Sequence, residues 1–208
     1  MMESKSTARR RLLLATSNRG KAREFDEMLG EAWEIFTLAD LPPEEEVAET
    51  GRTFLENARL KALAGAKRFE GWVVADDSGL EVDVLGGRPG IHSARYAGVP
   101  RDDARNNEKL LEALRGQPME RRGAQFRCVL VVAEGSRVLF ECEGVCRGTI
   151  ATAASGSGGF GYDPLFIPEG ESRSFAELPS ALKHTMSHRS RAVARLVAWL
   201  NGGGGGGA

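Results

Sequence analysis

Four apolar residues, Trp72-Val73-Val74-Ala75, run directly into Asp76-Asp77-Ser78-Gly79. A short apolar run reads as a buried strand, which needs sheet neighbours and covering elements. Two adjacent carboxylates at its end add a chemical demand. The carboxyl ends of strands are where α/β proteins bind ligands, and carboxylates held there suit a divalent metal. Neighbouring strand residues point to opposite faces. One of Asp76 and Asp77 is therefore expected to serve a metal, and the other to brace the turn or a neighbouring helix. The competing reading is an Asx-type turn, with Asp capping the backbone and Gly79 supplying a positive φ.

The flanking pattern alternates strand and helix. Leu12–Ala15 reads as a strand, 16–21 as a turn, Ala22–Leu29 as a helix closed by Gly30, and Trp33–Leu38 as a second strand ended by Leu41-Pro42-Pro43. Glu44-Glu45-Glu46 reads as a solvated loop, Thr53–Phe69 as an alanine-rich helix, Gly86–Gly90 as a tight loop and Asp102–Leu114 as a helix. Ala124–Ala133 and Arg137–Cys146, joined at Glu134-Gly135-Ser136, read as an antiparallel hairpin. A glycine- and serine-rich loop over 154–161, a short strand at Pro164–Ile167 and an amphipathic helix at Ser187–Leu200 complete the chain. The pattern predicts an α/β fold with a mixed sheet.

The chain has 208 residues, 41% of them hydrophobic, enough for one sizeable core. A net charge of −1 gives no bulk attraction to nucleic acid or an anionic membrane, and no run approaches transmembrane length. Residues 1–10 read as a frayed basic leader rather than a secretory signal, 11–201 as a single two-lobed domain, and 202–208 as a flexible glycine tail. The odd number of cysteines, Cys128, Cys142 and Cys146, points to a reducing, cytoplasmic setting and away from a zinc site.

Several segments carry chemistry. Thr16-Ser17-Asn18-Arg19-Gly20-Lys21 joins a strand to a helix start, where free N–H groups and the dipole favour phosphate. Gly20 lets the backbone approach a ligand, and Lys21 adds a point charge. This is no Walker A loop, because the first glycine is missing and Ala22 replaces its Ser or Thr. An ordinary capped helix start reads equally well. Asn57 and Lys61 share one helical face beside Glu56, which otherwise reads as solvated decoration. The loop from Gly156 to Pro164 sets Phe160, Gly161, Tyr162 and Asp163 among glycines. Either its aromatics stack on a planar base, with Asp163 reading a base edge, or they fold back onto the core. Lys183, His184, His188 and Arg189 crowd a helix start capped by Ser187. Cations are unfavourable there unless an anion or an electron-rich base edge lies close.

Taken together, LLLATSNRGK (12–21), ETGRTFLENARLKA (49–62), VVADDSGLEVDVLGGRPGIHSARYAG (73–98), GGFGYDPLF (158–166) and SHR (187–189) resemble the inosine triphosphate pyrophosphatase family, in its order and over nearly the whole chain. The resemblance implies a two-lobed α/β fold, with an elongated mixed sheet flanked by helices and a cleft between the lobes. It implies Mg2+-dependent hydrolysis of non-standard purine triphosphates, ITP, dITP and XTP, to monophosphate and pyrophosphate by a homodimer. Thr16, Ser17, Asn18, Arg19, Gly20 and Lys21 would hold the triphosphate. Asp77 would be metal ligand and proton acceptor, and Ser78 would touch the substrate. Phe160, Gly161, Tyr162, Asp163, Lys183, His188 and Arg189 would hold base and sugar. Lys61 and Arg95 would lie near the phosphates. Many relatives carry paired acids where this chain has Ala48-Glu49, which leaves Glu49 as the second metal ligand; Leu182 and His184 replace the usual polar neighbours of Lys183. The rivals are a nucleotide-binding regulator without turnover, which would not need the Asp76-Asp77-Ser78 cluster, and a pyrimidine-directed pyrophosphatase, disfavoured by His188-Arg189.

Overall fold

The structure is a computed structural model that describes residues 10–29, 33–45 and 47–202. The readings of the leader through residue 9, of Gly30 as a helix stop, of Glu46 in an acidic loop and of tail residues 203–208 fall outside those residues. So do the side chains of Arg10 and Arg19.

The chain order is β1 (Arg10–Leu14), α1 (Arg19–Leu29), β2 (Trp33–Thr37), α2 (Phe54–Ala66), β3 (Trp72–Val82), α3 (Asp103–Ala113), β4 (Gly123–Glu134), β5 (Arg137–Ile150), β6 (Phe166–Pro168), α4 (Ser180–Met186) and α5 (His188–Asn201). One 6-stranded sheet runs β2-β1-β3-β4-β5-β6. β1 pairs in parallel with β2 and β3, and the remaining pairs are antiparallel. The expected mixed α/β sheet is present. Among the described residues no helix is long and apolar enough to cross a membrane.

Several boundaries differ from the sequence reading. The apolar run does not end at Ala75: β3 continues for 11 residues, and Asp76 to Gly79 pair with Leu130 to Arg127 of β4. The Asx turn is therefore absent. Gly79 is not among the positive-φ glycines; a Cβ there would instead meet Ser93 Oγ and the Phe54 ring. α1 begins at Arg19 rather than Ala22 because Asn18 caps it: its side-chain oxygen accepts from the Gly20 and Lys21 amides at 2.9 and 3.2 Å. β5 runs on to Ile150, β6 is displaced to Phe166–Pro168, and Lys183 lies on α4, a short helix that two turns of unpatterned sequence did not announce.

Strand alternation assigns the core. Leu12, Leu14, Val74, Leu130 and Val132 face α1 and α5, whereas Leu13, Val73, Ala75, Val129 and Val131 face α2. A third cluster, with Leu80, Val82, Phe126, Leu110 and Phe166, occupies the other end of the sheet beneath α3. On one face of β3 the apolar side chains are thus interrupted between Val74 and Leu80 by Asp76 and Ser78. β1 stops short of this point, since its register ends at Leu14 opposite Val74. The carboxylates lie just past the end of the parallel strands, between the core regions.

α2 reaches them because its buried face is small. Ala58, Ala62 and Ala66 are buried there, and a Cβ on Gly65 would come within 2.8 Å of Val73 Cγ1. Close approach of helix and sheet lets Asn57 and Lys61 touch β3. Ala62→Leu is expected to overpack this contact and destabilise the protein by about 1–3 kcal/mol; urea unfolding of the variant checks it, and an unchanged midpoint would refute close packing.

Candidate active site

The turn after β1 offers a capped helix start. Asn18 occupies the Gly20 and Lys21 amides, and Thr16 Oγ1 accepts from Asn18 N at 3.2 Å. The amides expected to face phosphate at Gly20 and Lys21 are thus already bonded. Thr16, Ser17 and Asn18 line the cleft, and the charge this turn adds to it is the Lys21 ammonium, which is paired with Asp76.

Asp77 faces α2. Lys61 Nζ lies 2.8 Å from Asp77 Oδ1 and 3.1 Å from Glu49 Oε1, so a carboxylate of β3 and one of the 47–52 segment converge on one cation. Asn57, fully buried rather than solvent-facing, fixes both partners: it donates to Asp77 Oδ2 at 3.3 Å and accepts from Gly51 N at 2.8 Å. Arg95 reaches Glu49 at 3.1 Å. Burial pushes the Asp77 carboxyl above the ordinary aspartate range, with Lys61 offsetting only part of this. For Glu49, burial is outweighed by Lys61 and Arg95, which hold it below the usual range.

Asp76 faces α1 and α5. Arg189 Nε donates to Asp76 Oδ2 at 3.0 Å, Ser78 Oγ to Oδ1 at 2.7 Å and Cys128 Sγ to Oδ2 at 3.1 Å. Burial raises this carboxyl, but Lys21 and Arg189 outweigh it and hold it well below the ordinary range. The remaining Arg189 donors go to Glu24 and, at 3.1 Å, to Ser78 Oγ. Arg189 at the start of α5 thus finds its anions within the protein. Ser187 caps that helix as expected, accepting from Ser190 N at 3.1 Å.

The loop before β6 divides its residues. Tyr162 folds back onto the core, its hydroxyl donating to Ser93 O at 2.9 Å. Phe160 instead lies against the first turn of α1, where a Cβ on Gly20 would come within 2.8 Å of its ring. Lys183 Nζ sits 5.1 Å from that ring's centre and binds Glu24 at 2.9 Å and Asp163 at 2.7 Å. The Asp163 carboxylate is therefore engaged by Lys183 and by Phe160 N, the latter at 2.9 Å. His188 stacks on Phe126, with ring centres 4.7 Å apart and planes at 14°. Burial, with Arg189 nearby, holds its pKa well below the usual value, so the ring is neutral. Its Nδ1 is buried with no hydrogen-bond partner. His184 lies apart, 3.4 Å from Glu27.

One cleft of about 890 Å³ joins these groups, from Thr16, Lys21, Glu49, Lys61 and Asp77 to Phe160, Lys183 and His188. Sequence reasoning missed Glu24. It sits with Lys21, Phe25 and Met28 on one helical stripe, and an acid on a buried stripe was the available signal. Among the described residues no group of three or more His, Cys, Asp or Glu side chains is arranged to hold a metal by itself. Two carboxylates, Asp77 and Glu49, meet on the Lys61 ammonium. That fits Mg2+, which is commonly held by one or two carboxylates together with substrate phosphates.

A family model described as the Ham1 family matches residues 12–199. The chain is 50% identical over 186 residues to a dITP/XTP pyrophosphatase of Geobacillus kaustophilus, spanning 89% of this chain and 91% of that protein. Against a dITP/XTP pyrophosphatase of Gloeobacter violaceus it is 49% identical over 193 residues, 92% and 95% of the two chains. The solved Ham1 protein of Staphylococcus aureus superposes with a TM-score of 0.83 at 40% identity, over 93% of this chain and 99% of that one. The match runs from β1 into the last turn of α5 and takes in every segment that carries the cleft: this chain belongs to the Ham1 family.

Proposed function

We propose that this protein hydrolyses the non-standard purine triphosphates ITP, dITP and XTP to the monophosphate and pyrophosphate, as a cytoplasmic homodimer that uses Mg2+. The observation that carries the reading is the convergence of Lys61, Asp77 and Glu49 beside Lys21, in a cleft whose other end holds Phe160 and a neutral His188. Relatives named dITP/XTP pyrophosphatase support it.

In this reading the triphosphate lies along Thr16 to Lys21, and Lys21 and Lys61 offset charge on the leaving pyrophosphate. Asp77 orients a water for attack on the α-phosphorus and accepts its proton, while the bond from that phosphorus to the bridging oxygen breaks. A carboxyl raised by burial is a stronger base than an ordinary one. Mg2+ held by Asp77 and Glu49 would neutralise phosphate charge. At the far end, Phe160 stacks on the base. His188 has a ring nitrogen without a partner, whereas Nε, Nη1 and Nη2 of Arg189 are bonded to Asp76, Glu24 and Ser78 respectively, which fixes the plane of its guanidinium. Arg189 then acts by holding this neighbourhood together, alongside Lys183 and Asp163.

The direct test is pyrophosphate release from a panel of nucleoside triphosphates, with and without Mg2+. ITP and XTP are expected to be cleaved far faster than ATP and CTP, and only with metal. Binding without turnover would support a regulator, and preference for CTP or UTP a pyrimidine enzyme. Sedimentation of the purified chain tests the dimer.

Asp77→Asn keeps the shape of the side chain and removes its basicity. Turnover of ITP is expected to fall by at least about 10²-fold, as for loss of a general base, with the fold retained by circular dichroism. A loss under about tenfold would remove Asp77 from the chemistry.

The titration of this carboxyl is a separate measure. Without metal, burial raises the Asp77 carboxyl above the ordinary 3.8. In Mg2+-free protein Asp77 is therefore expected to protonate at a higher pH than an unperturbed aspartate, read by carboxyl-carbon NMR, and Mg2+ bound by this carboxylate is expected to lower that midpoint. A metal-free midpoint at or below the ordinary value would contradict the environment described for this group, and a midpoint indifferent to Mg2+ would remove Asp77 from the metal site.

A further inference from the structure

The first turns of α3 hold one wall of the cleft, and Asp103 itself lines it. Gly159 and Gly161 lie in the left-handed region, with φ of +71° and +63°, and Phe160 sits between them at a loop tip. Glycines give such a tip many conformations to lose. It is nevertheless fixed through its backbone. Gly161 N–H donates to Asp103 Oδ2 at 2.8 Å, and Gly161 C=O accepts from Asn107 Nδ2 at 2.9 Å. Asp103 and Asn107 are one turn apart on α3 and project from the same side. Asn106, next along, ties the segment that carries Arg95 by accepting from Ala97 N at 2.6 Å and donating to Ala94 O at 3.1 Å.

Asn107 carries a second mark. Its Oδ1 is buried without a hydrogen-bond partner. An unpaired buried oxygen is unfavourable, and asparagine is a poor helix former. Neither the packing nor the propensity of α3 accounts for this residue; its bond to Gly161 does.

We infer that Asp103 and Asn107 are positioning residues for the nucleotide base, clamping both sides of Gly161 and so holding the Phe160 ring in the cleft. This rests on the nucleotide reading above. The carboxylates and phosphate cations sit on β3, α1, α2 and the 47–52 segment, and none of them is bonded to the clamp. Loosening the clamp should therefore weaken binding of the base and spare the chemical step. A preorganised ring binds more tightly because less order is lost on binding.

Three variants separate the clamp from general stability. Asp103→Ala removes the acceptor for Gly161 N–H, Asp103→Asn restores an acceptor without the charge that pairs with Arg101, and Asn107→Leu removes the donor while favouring the helix. Asp103→Ala and Asn107→Leu are expected to raise KM for ITP about tenfold, the worth of one lost hydrogen bond, with kcat within about threefold of wild type. Asp103→Asn should restore KM, and inhibition by inorganic tripolyphosphate, which has no base, should be unchanged in all three. Amide hydrogen exchange over 156–163 should accelerate in Asp103→Ala and Asn107→Leu, and melting temperature should not fall in Asn107→Leu. Unchanged exchange over 156–163, a fall in kcat at constant KM, or equal impairment of Asp103→Asn and Asp103→Ala would each overturn the clamp. If wild type releases no pyrophosphate from ITP, the nucleotide reading fails, while exchange still decides whether α3 holds the loop.

Discussion

A single buried carboxylate organises this molecule. Asp76 sits on the face of β3 where one apolar cluster gives way to another, and it binds Lys21 of α1, Arg189 of α5, Ser78 of its own strand and Cys128 of β4. A charge so placed is tolerated only when its partners are all present, because removing one leaves the rest desolvated and unpaired. The requirement acts on two helices at once. α1 must present Lys21, α5 must bring Arg189 inward from its first turn, and Glu24 must follow to complete the guanidinium. Cations at a helix start, unfavourable in isolation, become part of a neutralised cluster. The buried polar belt between Val74 and Leu80 fixes where the core is divided, and hence where the cleft opens.

The adjacent residue inherits the other task. Alternation along β3 turns Asp77 toward α2, where it meets one lysine, one asparagine and a second carboxylate rather than two cations. The two neighbours are driven in opposite directions. Lys21 and Arg189 hold Asp76 ionised, and burial lifts Asp77. A pair of titratable groups pushed apart by environment is a pattern of sites that divide charge stabilisation from proton transfer. Here one strand supplies both, at the position where the parallel neighbour β1 has ended.

The sequence carried much of this. Periodicity placed α3 and α5 within a residue of their ends and α2 within three, and the hairpin of β4 and β5 at its turn. The side-chain alternation of Asp76 and Asp77 follows from strand geometry alone. What failed was local reading of long-range pairing. Asp76 to Gly79 look like a turn because their polarity is answered only by residues distant in sequence: Arg189, Lys21 and Lys61 supply the charge that allows the strand to continue. Gly79 is a matter of space against Ser93 and Phe54, which no local rule announces. Asn57 could be placed only on a face with Lys61, because its partners, Gly51 and Asp77, lie on segments that meet only in the fold. Arg189 resembled a free ligand-binding fork because Glu24, which takes part of it, was hidden on the apolar stripe of α1.

The two ends of the cleft are built on different principles, and that difference bears on selectivity. At the end proposed for the phosphates, the groups are charges in mutual contact, Lys21 with Asp76 and Lys61 with Asp77 and Glu49. A triphosphate there competes for cations that already have carboxylate partners, so its net gain is smaller than the raw charge implies. At the end proposed for the base, Lys183, Asp163, Glu24 and Arg189 are bound to one another, which leaves the neutral rings of Phe160 and His188 to meet the base. The Phe160 ring is held through its backbone, and neutral His188 is held flat against Phe126 with one buried nitrogen unpaired. A neutral imidazole can serve as donor or acceptor according to its tautomer, and a site built to match one edge of a base penalises the wrong one by leaving a buried group unsatisfied. Charge at one end would thus hold any nucleoside triphosphate, while the burden of choosing among bases falls on geometry at the other. That geometry is only as firm as the contacts that support Phe160 and His188.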